Sequence, residues 1–291
     1  MGLAGWDKPE AQAKGFSMLK LPSLALQACE SPPNGKGEIS AMGLGSRLLF
    51  EDEHCLAIVK TAGQFTQGSW APPGEQTLES EVRDYLNPVD PRSVYLGIVH
   101  RLDRPVSGLL VWAKTTKSAR RLAQQFERRR VEKEYWAVVE ETQATAPPER
   151  ASTGPMARSP VAGTWIDWLT SAGVAGVVRV VSAGTERARQ AVTRFGLEAA
   201  SSLPPGCRWL RLWPETGRTH QLRVQAALRG LPIVGDANYG SSKPFPRGIA
   251  LHAWRLGLRH PMLGTPLELI APLPVTWAEH GFTLTDTGLS P

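Results

Sequence analysis

Cysteine is scarce in this chain, which has three cysteines among 291 residues. Cys29, Cys55 and Cys207 are odd in number and far apart, a pattern that fits neither a disulfide framework nor a zinc site. His54-Cys55 has no second pair of metal-binding residues near it, and we interpret it as a loop leading into a strand. This usage is typical of a reducing compartment, so we expect a cytoplasmic protein without a bound metal.

Long apolar runs are missing as well. No stretch approaches the roughly 20 apolar residues of a membrane-spanning helix, and no apolar segment with a small-residue cleavage site follows the N-terminus. We therefore expect neither a secretory signal nor a membrane partner. The local patterns GxxxxGK[ST], HExxH and GxSxG are also absent, which argues against phosphate-loop enzymes, zinc proteases and serine hydrolases.

Positive charge is in excess, with 33 Lys and Arg against 27 Asp and Glu. Such an excess favours a polyanionic partner such as nucleic acid. Much of it lies within residues 101–133, and a helix there would either present a solvated charged face or line an RNA-binding cleft. The basic residues of this segment are Arg101, Arg104, Lys114, Lys117, Arg120, Arg121, Arg128, Arg129, Arg130 and Lys133.

Apolar periodicity predicts a mixture of strands and helices. Strands are predicted over 47–50, 55–60, 108–113, 134–139, 177–181, 191–195 and 209–213. Helices are predicted over 77–86 (with Thr77 as N-cap), 116–130 and 219–229. Loops are predicted over 141–164, and loops with short strands follow residue 231. Residues 1–45, rich in Gly, Pro and Ser, form an irregular extension, so the chain is predicted to hold one α+β domain over 46–291.

The stretch HRLDRPVSGLLVWAKT, residues 100–115, places charges directly ahead of an apolar strand. Charges beside a core strand are costly unless they have partners or a task. A carboxylate that must stay ionised in a cleft needs a cation within roughly 4–6 Å. For Asp103, Arg101 and Arg104 are adjacent, and Arg223 could reach it through the fold. Local chemistry leaves open whether Asp103 forms a structural ion pair or is catalytic.

Several stretches, in order and spacing, resemble motifs of the RluA-type pseudouridine synthases. HRLD with the following SGLL resembles the second motif of that family, and three other segments agree with it. These segments are DEHCLAIVKTAG (52–63), KEYWA (133–137) and TGRTHQLRV (216–224), the last followed by PIVGD (232–236) and YG (239–240). The resemblance covers about residues 45–275.

The resemblance implies an isomerase that converts uridine in RNA to pseudouridine without a cofactor or metal. It implies a long, mixed, mostly antiparallel sheet whose flanking helices and loops surround a basic cleft. The expected substrate is structured RNA, ribosomal or transfer, and the expected state is a monomer. In this chemistry the bond between uracil and ribose is cleaved, the base turns, and its C5 is joined to C1′. Attack on the sugar, attack on the base and a glycal route all stay open.

The resemblance also assigns roles to residues. Asp103 matches the catalytic aspartate, Tyr135 the aromatic residue that stacks on the target base, and Arg223 the basic partner of the carboxylate. Tyr135 could instead be a strand residue that packs into the core. The residues expected to contact the substrate or its RNA are His100, Arg101, Arg104, Arg218 and Leu222.

Arg101 matches an arginine that fills the space left when the uridine flips out of its helix, an extrusion that base chemistry requires. Thr61 and Gln225 depart from the usual Pro and His of the family, and we expect effects on loop stiffness or local packing. No S4-type domain is expected in residues 1–45, so RNA choice would come from the catalytic domain and loops 61–76 and 141–164.

Two other functions remain possible on sequence alone: a non-catalytic RNA-binding protein that keeps this fold, and a hydrolase that releases free uracil. The intact set of Asp103, Tyr135 and Arg223 favours the synthase.

Overall fold

The structure is a computed structural model that describes residues 44–142, 162–170 and 176–285. Within these ranges eleven strands form one sheet. They are β1 (Leu48–Glu51), β2 (Cys55–Lys60), β3 (Gly97–Ile98), β4 (Ser107–Ala113), β5 (Glu132–Glu140), β6 (Ala162–Leu169), β7 (Val180–Val181), β8 (Arg189–Glu198), β9 (Cys207–Pro214), β10 (Leu251–Arg259) and β11 (Pro266–Ile270). The helices are α1 (Leu78–Leu86), α2 (Thr116–Glu127), α3 (Gln221–Leu228) and α4 (Val275–Glu279).

The strand order is β1-β2-β4-β10-β5-β9-β8-β6-β7, with β3 beside β4 and β11 beside β10. Only the pairing of β4 with β10 is parallel among the pairs of the described strands. The predicted α+β fold with a mixed, mostly antiparallel sheet is therefore confirmed.

All seven residues of β4 are buried because the core has a helix on each side of this strand. Successive side chains of a strand point to opposite faces. Leu110 and Trp112 accordingly pack in the cluster that contains residues of α1, whereas Leu109 and Val111 pack in the cluster that contains Leu122 of α2. Burial of each such side chain stabilises the fold by about 1.5–3 kcal/mol, which makes β4 a rigid support for the loop before it.

Helix α1 begins where the sequence predicts it. The Thr77 side chain accepts a hydrogen bond from the amide of Ser80, and the Ser80 hydroxyl accepts one from the Thr77 amide. This reciprocal cap satisfies two amides that would otherwise lack partners at the helix end.

Helix α2 ends at Glu127, three residues before the predicted end. Arg129 has a left-handed backbone (φ 54°). Its amide bonds to the carbonyl of Phe126, and the Arg130 amide bonds to that of Gln125. This pair of bonds is the Schellman arrangement that ends a helix, and nothing in the local charge pattern indicated it.

The central strand β10 was missed, since the prediction placed only short strands after residue 231. Its register against β5 shifts between Ala253 and Arg255. This bulge breaks the simple alternation of apolar and polar residues on which strand prediction depends. Two further predictions were wrong: the loop predicted over 141–164 overlaps β6, which begins at residue 162, and β7 covers only two residues of the strand predicted over 177–181.

Some predictions lie outside the described residues, namely the extension over residues 1–43 and the loop over 143–161. The boundary at residue 45 stays a prediction. Among the helices of the described ranges, none has the length and apolar character needed to cross a membrane.

Gly108 lets three strands meet in register, with Gly108 beside Ala253 and Ala253 beside Tyr135. Gly108 has φ +120°, and a Cβ there would lie 2.5 Å from the carbonyl oxygen of Ala253. Only glycine adopts this backbone without strain and allows such a close approach. This register fixes the distance between the loop before β4 and the side chains of β5.

We expect Gly108→Ala to lower the free energy of unfolding by about 3 kcal/mol or more, because steric overlap adds to backbone strain. Chemical denaturation measures this change. Gly74→Ala is the matched control, since Gly74 also has a positive φ (+83°) but no atom lies within 4 Å of the added Cβ. The control should cost about 1 kcal/mol, and equal losses in the two variants would contradict the close-approach explanation.

Candidate active site

A cleft of about 560 Å³ opens beside the loop that precedes β4. Its lining comes from residues 99–103 and Val106, the segment from the end of α2 into β5, residues 214–223 and the start of β10. This volume is in the range of small-molecule sites. Seven of the eight predicted site residues line it: His100, Arg101, Asp103, Tyr135, Arg218, Leu222 and Arg223.

The loop that carries Asp103 is fixed through its backbone. Each of the four consecutive carbonyls of residues 102–105 accepts at least one hydrogen bond. The donors are the Thr66 hydroxyl for residue 102 (2.8 Å), the Val106 amide for 103 (3.0 Å), the Gly63 amide (2.8 Å) and Lys60 Nζ (3.0 Å) for 104, and the Ile249 amide for 105 (3.1 Å). A backbone held at four successive positions keeps the Asp103 carboxylate in one place.

Lys60 is fully buried beneath this loop at the end of β2. Its ammonium donates to the carbonyls of Thr61, Gln64 and Arg104 at 2.8–3.0 Å. Burial lowers the pKa of Lys60 to about 7, although the negative charge of Asp103 opposes the shift. Lys60 therefore joins two loops, and its charge is sensitive to pH near neutrality.

Arg223 of α3 lies between two carboxylates. Its Nε and Nη2 donate to Asp236 at 2.6 and 2.8 Å, and its Nη1 lies 3.5 Å from Oδ2 of Asp103. The predicted contact between Arg223 and Asp103 is therefore present. Arg223 and Asp236 are buried, whereas the Asp103 side chain is 27% exposed. Asp236 holds the guanidinium through a fork of two hydrogen bonds and leaves the third nitrogen for Asp103.

His220 is also close to Asp103, with its Nε2 3.8 Å from Oδ2. The Tyr239 hydroxyl accepts a hydrogen bond from the Val178 amide, so its own proton can be donated to His220 Nδ1 at 2.8 Å. Burial and the charge of Arg223 lower the pKa of His220, and Asp103 opposes this shift. A neutral His220 with its proton on Nε2, facing Asp103, satisfies both contacts.

Tyr135 extends into the cleft from β5 and is partly buried. Burial raises the pKa of its phenol, and the negative charge of Asp103 adds to the rise. The phenol is therefore neutral at physiological pH. Its aromatic side chain lines the same cleft as Asp103, as stacking on a base would require.

The turn before α3 is anchored to β8. The Gln221 side chain donates to the Val192 carbonyl and the Thr193 hydroxyl, and accepts from the Thr216 hydroxyl (2.7 Å) and the Arg218 amide. These bonds fix the turn that places His220 and Arg223 opposite Asp103.

His100 has a structural contact in addition to its place in the cleft. Its Nε2 accepts the Val111 amide at 3.0 Å, and its ring stacks on Phe126 at 4.5 Å. Burial and the charge of Lys133 lower the pKa of His100 to about 3, so the ring is neutral. A contact between His100 and substrate stays a prediction.

The remaining predicted residues differ in position. Leu222 is buried at the cleft, Arg101 is exposed there, and Arg218 is exposed with its Nε donating to a backbone carbonyl of β8. Arg104 does not line the cleft, because its Nε donates to the Gly63 carbonyl and its guanidinium lies over the Phe65 ring.

Gln225, the second of the two departures expected from the sequence, is fully buried. It accepts from the Thr193 hydroxyl (2.7 Å) and donates to Asp167 (2.7 Å), and its effect on local packing stays a prediction. Thr61 is exposed and lies in the loop held by Lys60.

Asp52, Cys55 and His260 are the one group of potential metal ligands that the described residues bring together. The side chains of Asp52 and His260 already have hydrogen-bond partners. Asp52 accepts the amides of residues 54 and 55 and the Nε2 proton of His260 (2.7 Å), while His260 Nδ1 accepts backbone amides. Burial raises the pKa of Cys55 to about 12, which disfavours the thiolate that binds metals. We therefore interpret the hydrogen bond between Asp52 and His260 as a structural link between the turn after β1 and the turn after β10, and not as part of a metal site.

Comparison with known proteins agrees with this geometry. Residues 54–228, more than half of the chain, match the family model described as RNA pseudouridylate synthase. The chain belongs to the RNA pseudouridylate synthase family. It is 31% identical over 256 residues to tRNA pseudouridine synthase C of Salmonella typhi, with 80% of this chain and 87% of the relative covered.

Ribosomal large subunit pseudouridine synthase D of Xanthomonas campestris is 33% identical over 246 residues, which cover 78% of this synthase and 66% of the relative. The solved structure of human RNA pseudouridylate synthase domain containing 1 superposes with a TM-score of 0.61 at 23% identity, over 82% of this chain and 90% of that one. This structural likeness shows the fold alone. The predicted RluA-type membership and isomerase activity are confirmed, and a non-catalytic RNA-binding protein is not favoured.

Four residues of this synthase site had no role predicted from the sequence: Lys60, His220, Asp236 and Tyr239. Each lies inside a stretch that resembles the family, so the signal was position within a motif. Their contacts join segments that are far apart in the chain, and no local pattern shows them.

Asp236→Asn should lower kcat by about 100-fold, because the variant keeps the side-chain shape but weakens the fork that aims Arg223 at Asp103. Turnover of RNA measures the change. Asp167→Asn is the matched control, since Asp167 pairs with Arg229 at 3.0 Å outside the cleft. If both variants lost stability but kept full turnover, the positioning role of Asp236 would be wrong.

The buried Lys60 predicts a pH dependence of stability. Its pKa falls from the ordinary 10.5 to about 7 on folding, so between these values the unfolded chain binds more protons. Stability contributed through Lys60 should therefore rise with pH across this window. The free energy of unfolding of the wild type minus that of Lys60→Met, measured by denaturation at several pH values, should increase. A flat difference would mean that Lys60 keeps its ordinary pKa.

Proposed function

We propose that this synthase isomerises uridine in structured RNA, transfer or ribosomal, with Asp103 as the catalytic carboxylate. The observation that carries this assignment is the contact of Asp103 with the buried Arg223. Asp103, Glu127 and Glu215 are the carboxylates that line the described cleft, and of these only Asp103 pairs with a buried cation. Arg223 places a buried positive charge 3.5 Å from the Asp103 carboxylate, the group that would act as nucleophile or base.

The reaction is an isomerisation in which no atom is gained. The bond between N1 of uracil and C1′ of ribose breaks, the base turns, and a bond forms between C5 and C1′. C5 loses its proton and N1 gains one. The sugar, base and glycal routes all need a carboxylate beside the ribose and base, and the proposal gives this role to Asp103, which lines the cleft together with Tyr135.

The target uridine would have to leave its stack to reach the cleft, as enzymes that act on bases require. Arg101, exposed at the cleft next to Asp103, is suited to fill the vacated space. The relatives named for transfer and for ribosomal RNA both support a structured substrate. The cytoplasmic location and the monomeric state expected from the sequence stay predictions.

Asp103→Asn should reduce pseudouridine formation by more than about 10³-fold and leave RNA binding largely intact, because the amide can neither attack nor accept a proton. Pseudouridine mapping of cellular RNA with and without the gene identifies the target uridine, and turnover on that RNA then measures the variant.

Asp84→Asn is the matched control, since Asp84 is an exposed carboxylate on α1 outside the cleft. Full turnover by Asp103→Asn would sink the assignment. Release of free uracil by the wild type would instead establish hydrolysis.

A further inference from the structure

Arg129 occupies a backbone position that favours glycine. It follows the end of α2 with φ 54°, and the Schellman bonds that end the helix require this left-handed conformation. A side chain strains such a residue, whereas glycine adopts it freely. An arginine here suggests a use for the side chain, since strained residues cluster at functional sites.

The Arg129 side chain lines the cleft together with Lys133, four residues later at the start of β5. Burial lowers the pKa of Lys133 to about 8, and the positive charge of Arg129 adds to the shift. The Lys133 Nζ lies 3.5 Å from the Thr216 carbonyl. Neither cation has a carboxylate partner among the described residues, so the two repel each other until an anion lies between them.

Other basic residues of the same run lack this position. Arg120, Arg121, Arg128 and Arg130 do not line the cleft, and Arg121 donates to the Pro261 carbonyl at 2.9 Å. The three acidic residues at the cleft do not pair with these two cations: Asp103 contacts Arg223 at 3.5 Å, Glu215 faces Arg194 at 3.9 Å, and Glu127 forms no ion pair among the described residues. Of the basic residues over 120–133, only Arg129 and Lys133 therefore line the described cleft.

We propose that Arg129 and Lys133 bind a backbone phosphate of the RNA beside the target uridine. This site rests on the proposed function, because it supposes that RNA occupies the cleft. Arginine and lysine are the side chains that contact phosphates most often. The site contributes affinity without reading sequence, and the strain at Arg129 is retained because glycine would remove the contact.

The test compares Arg129→Gly with Arg187→Gly. Arg187 is the matched control: it is exposed, has φ 60°, carries the same charge and does not line the cleft. Both substitutions relieve a left-handed residue and remove one positive charge, so neither should lower Tm. Binding of bulk transfer RNA and of a short oligouridylate is measured over a range of salt concentrations.

Arg129→Gly should weaken binding of both RNAs about tenfold at low salt and reduce the slope of log affinity against log salt by about 0.7–0.9, the loss of one phosphate contact. Arg187→Gly should leave the slope unchanged. Arg129→Lys keeps the charge and should retain most of the slope. An unchanged slope in Arg129→Gly, or equal losses in the two glycine variants, would overturn the phosphate site.

The two proposals fail in different ways. A wild type that forms no pseudouridine would refute the proposed function. An active wild type whose Arg129→Gly variant binds both RNAs with the same salt dependence would refute only the phosphate site.

Discussion

The backbone of residues 102–105 holds the site together, since three of its four carbonyls accept hydrogen bonds from distant parts of the chain. These donors come from the loop after β2, from Lys60 and from Ile249 just before β10, while the Asp103 carbonyl accepts the nearby Val106 amide. A buried polar backbone must be satisfied, and satisfying it from several directions leaves the loop a single conformation. The Asp103 side chain is thus placed by main-chain bonds and stays available for chemistry. Among these donors Lys60 has the highest cost of burial, because a buried ammonium is stable only when carbonyl partners replace its water.

Arg223 links this loop to the opposite side of the cleft. A lysine in its place could contact both carboxylates only as a point charge, whereas the planar guanidinium binds Asp236 through two parallel bonds and directs a third nitrogen at Asp103. The Tyr239 ring lies 4.9 Å from the Arg223 guanidinium carbon and covers it. Of the two carboxylates that contact Arg223, Asp236 forms the shorter hydrogen bonds and Asp103 the longer contact. In the proposed reaction that contact could lengthen while the two bonds to Asp236 still hold the arginine.

The secondary-structure elements that were predicted correctly are those whose signal lies within a short stretch of sequence. Strand β4 has an unbroken apolar run, and α1 has a Thr cap and helical spacing, so both were predicted close to their observed bounds. Strand β10 has a bulge between Ala253 and Arg255, and the alternation of apolar and polar residues that would predict a strand is interrupted there. In the site, Asp103, Tyr135 and Arg223 were identified through motifs, and the structure brings them to one cleft. The contacts of Lys60, His220 and Asp236 arise only when distant segments meet, and Arg104, adjacent to Asp103 in sequence, turns away from the cleft.

Backbone strain around the cleft is informative only together with side-chain position. Four non-glycine residues of the described ranges have a positive φ: Arg129, Arg187, His220 and Arg247. Two of them, Arg187 and Arg247, do not line the cleft, so strain alone does not identify a functional residue. His220 and Arg129 both line it, His220 directly before α3 and Arg129 just after α2, and a glycine would adopt the left-handed backbone at either position. A glycine at 220 would remove the ring between Tyr239 and Asp103, and one at 129 would remove a cation from the cleft. At these two positions a role of the side chain in the cleft, proposed above for Arg129, would account for a strained residue.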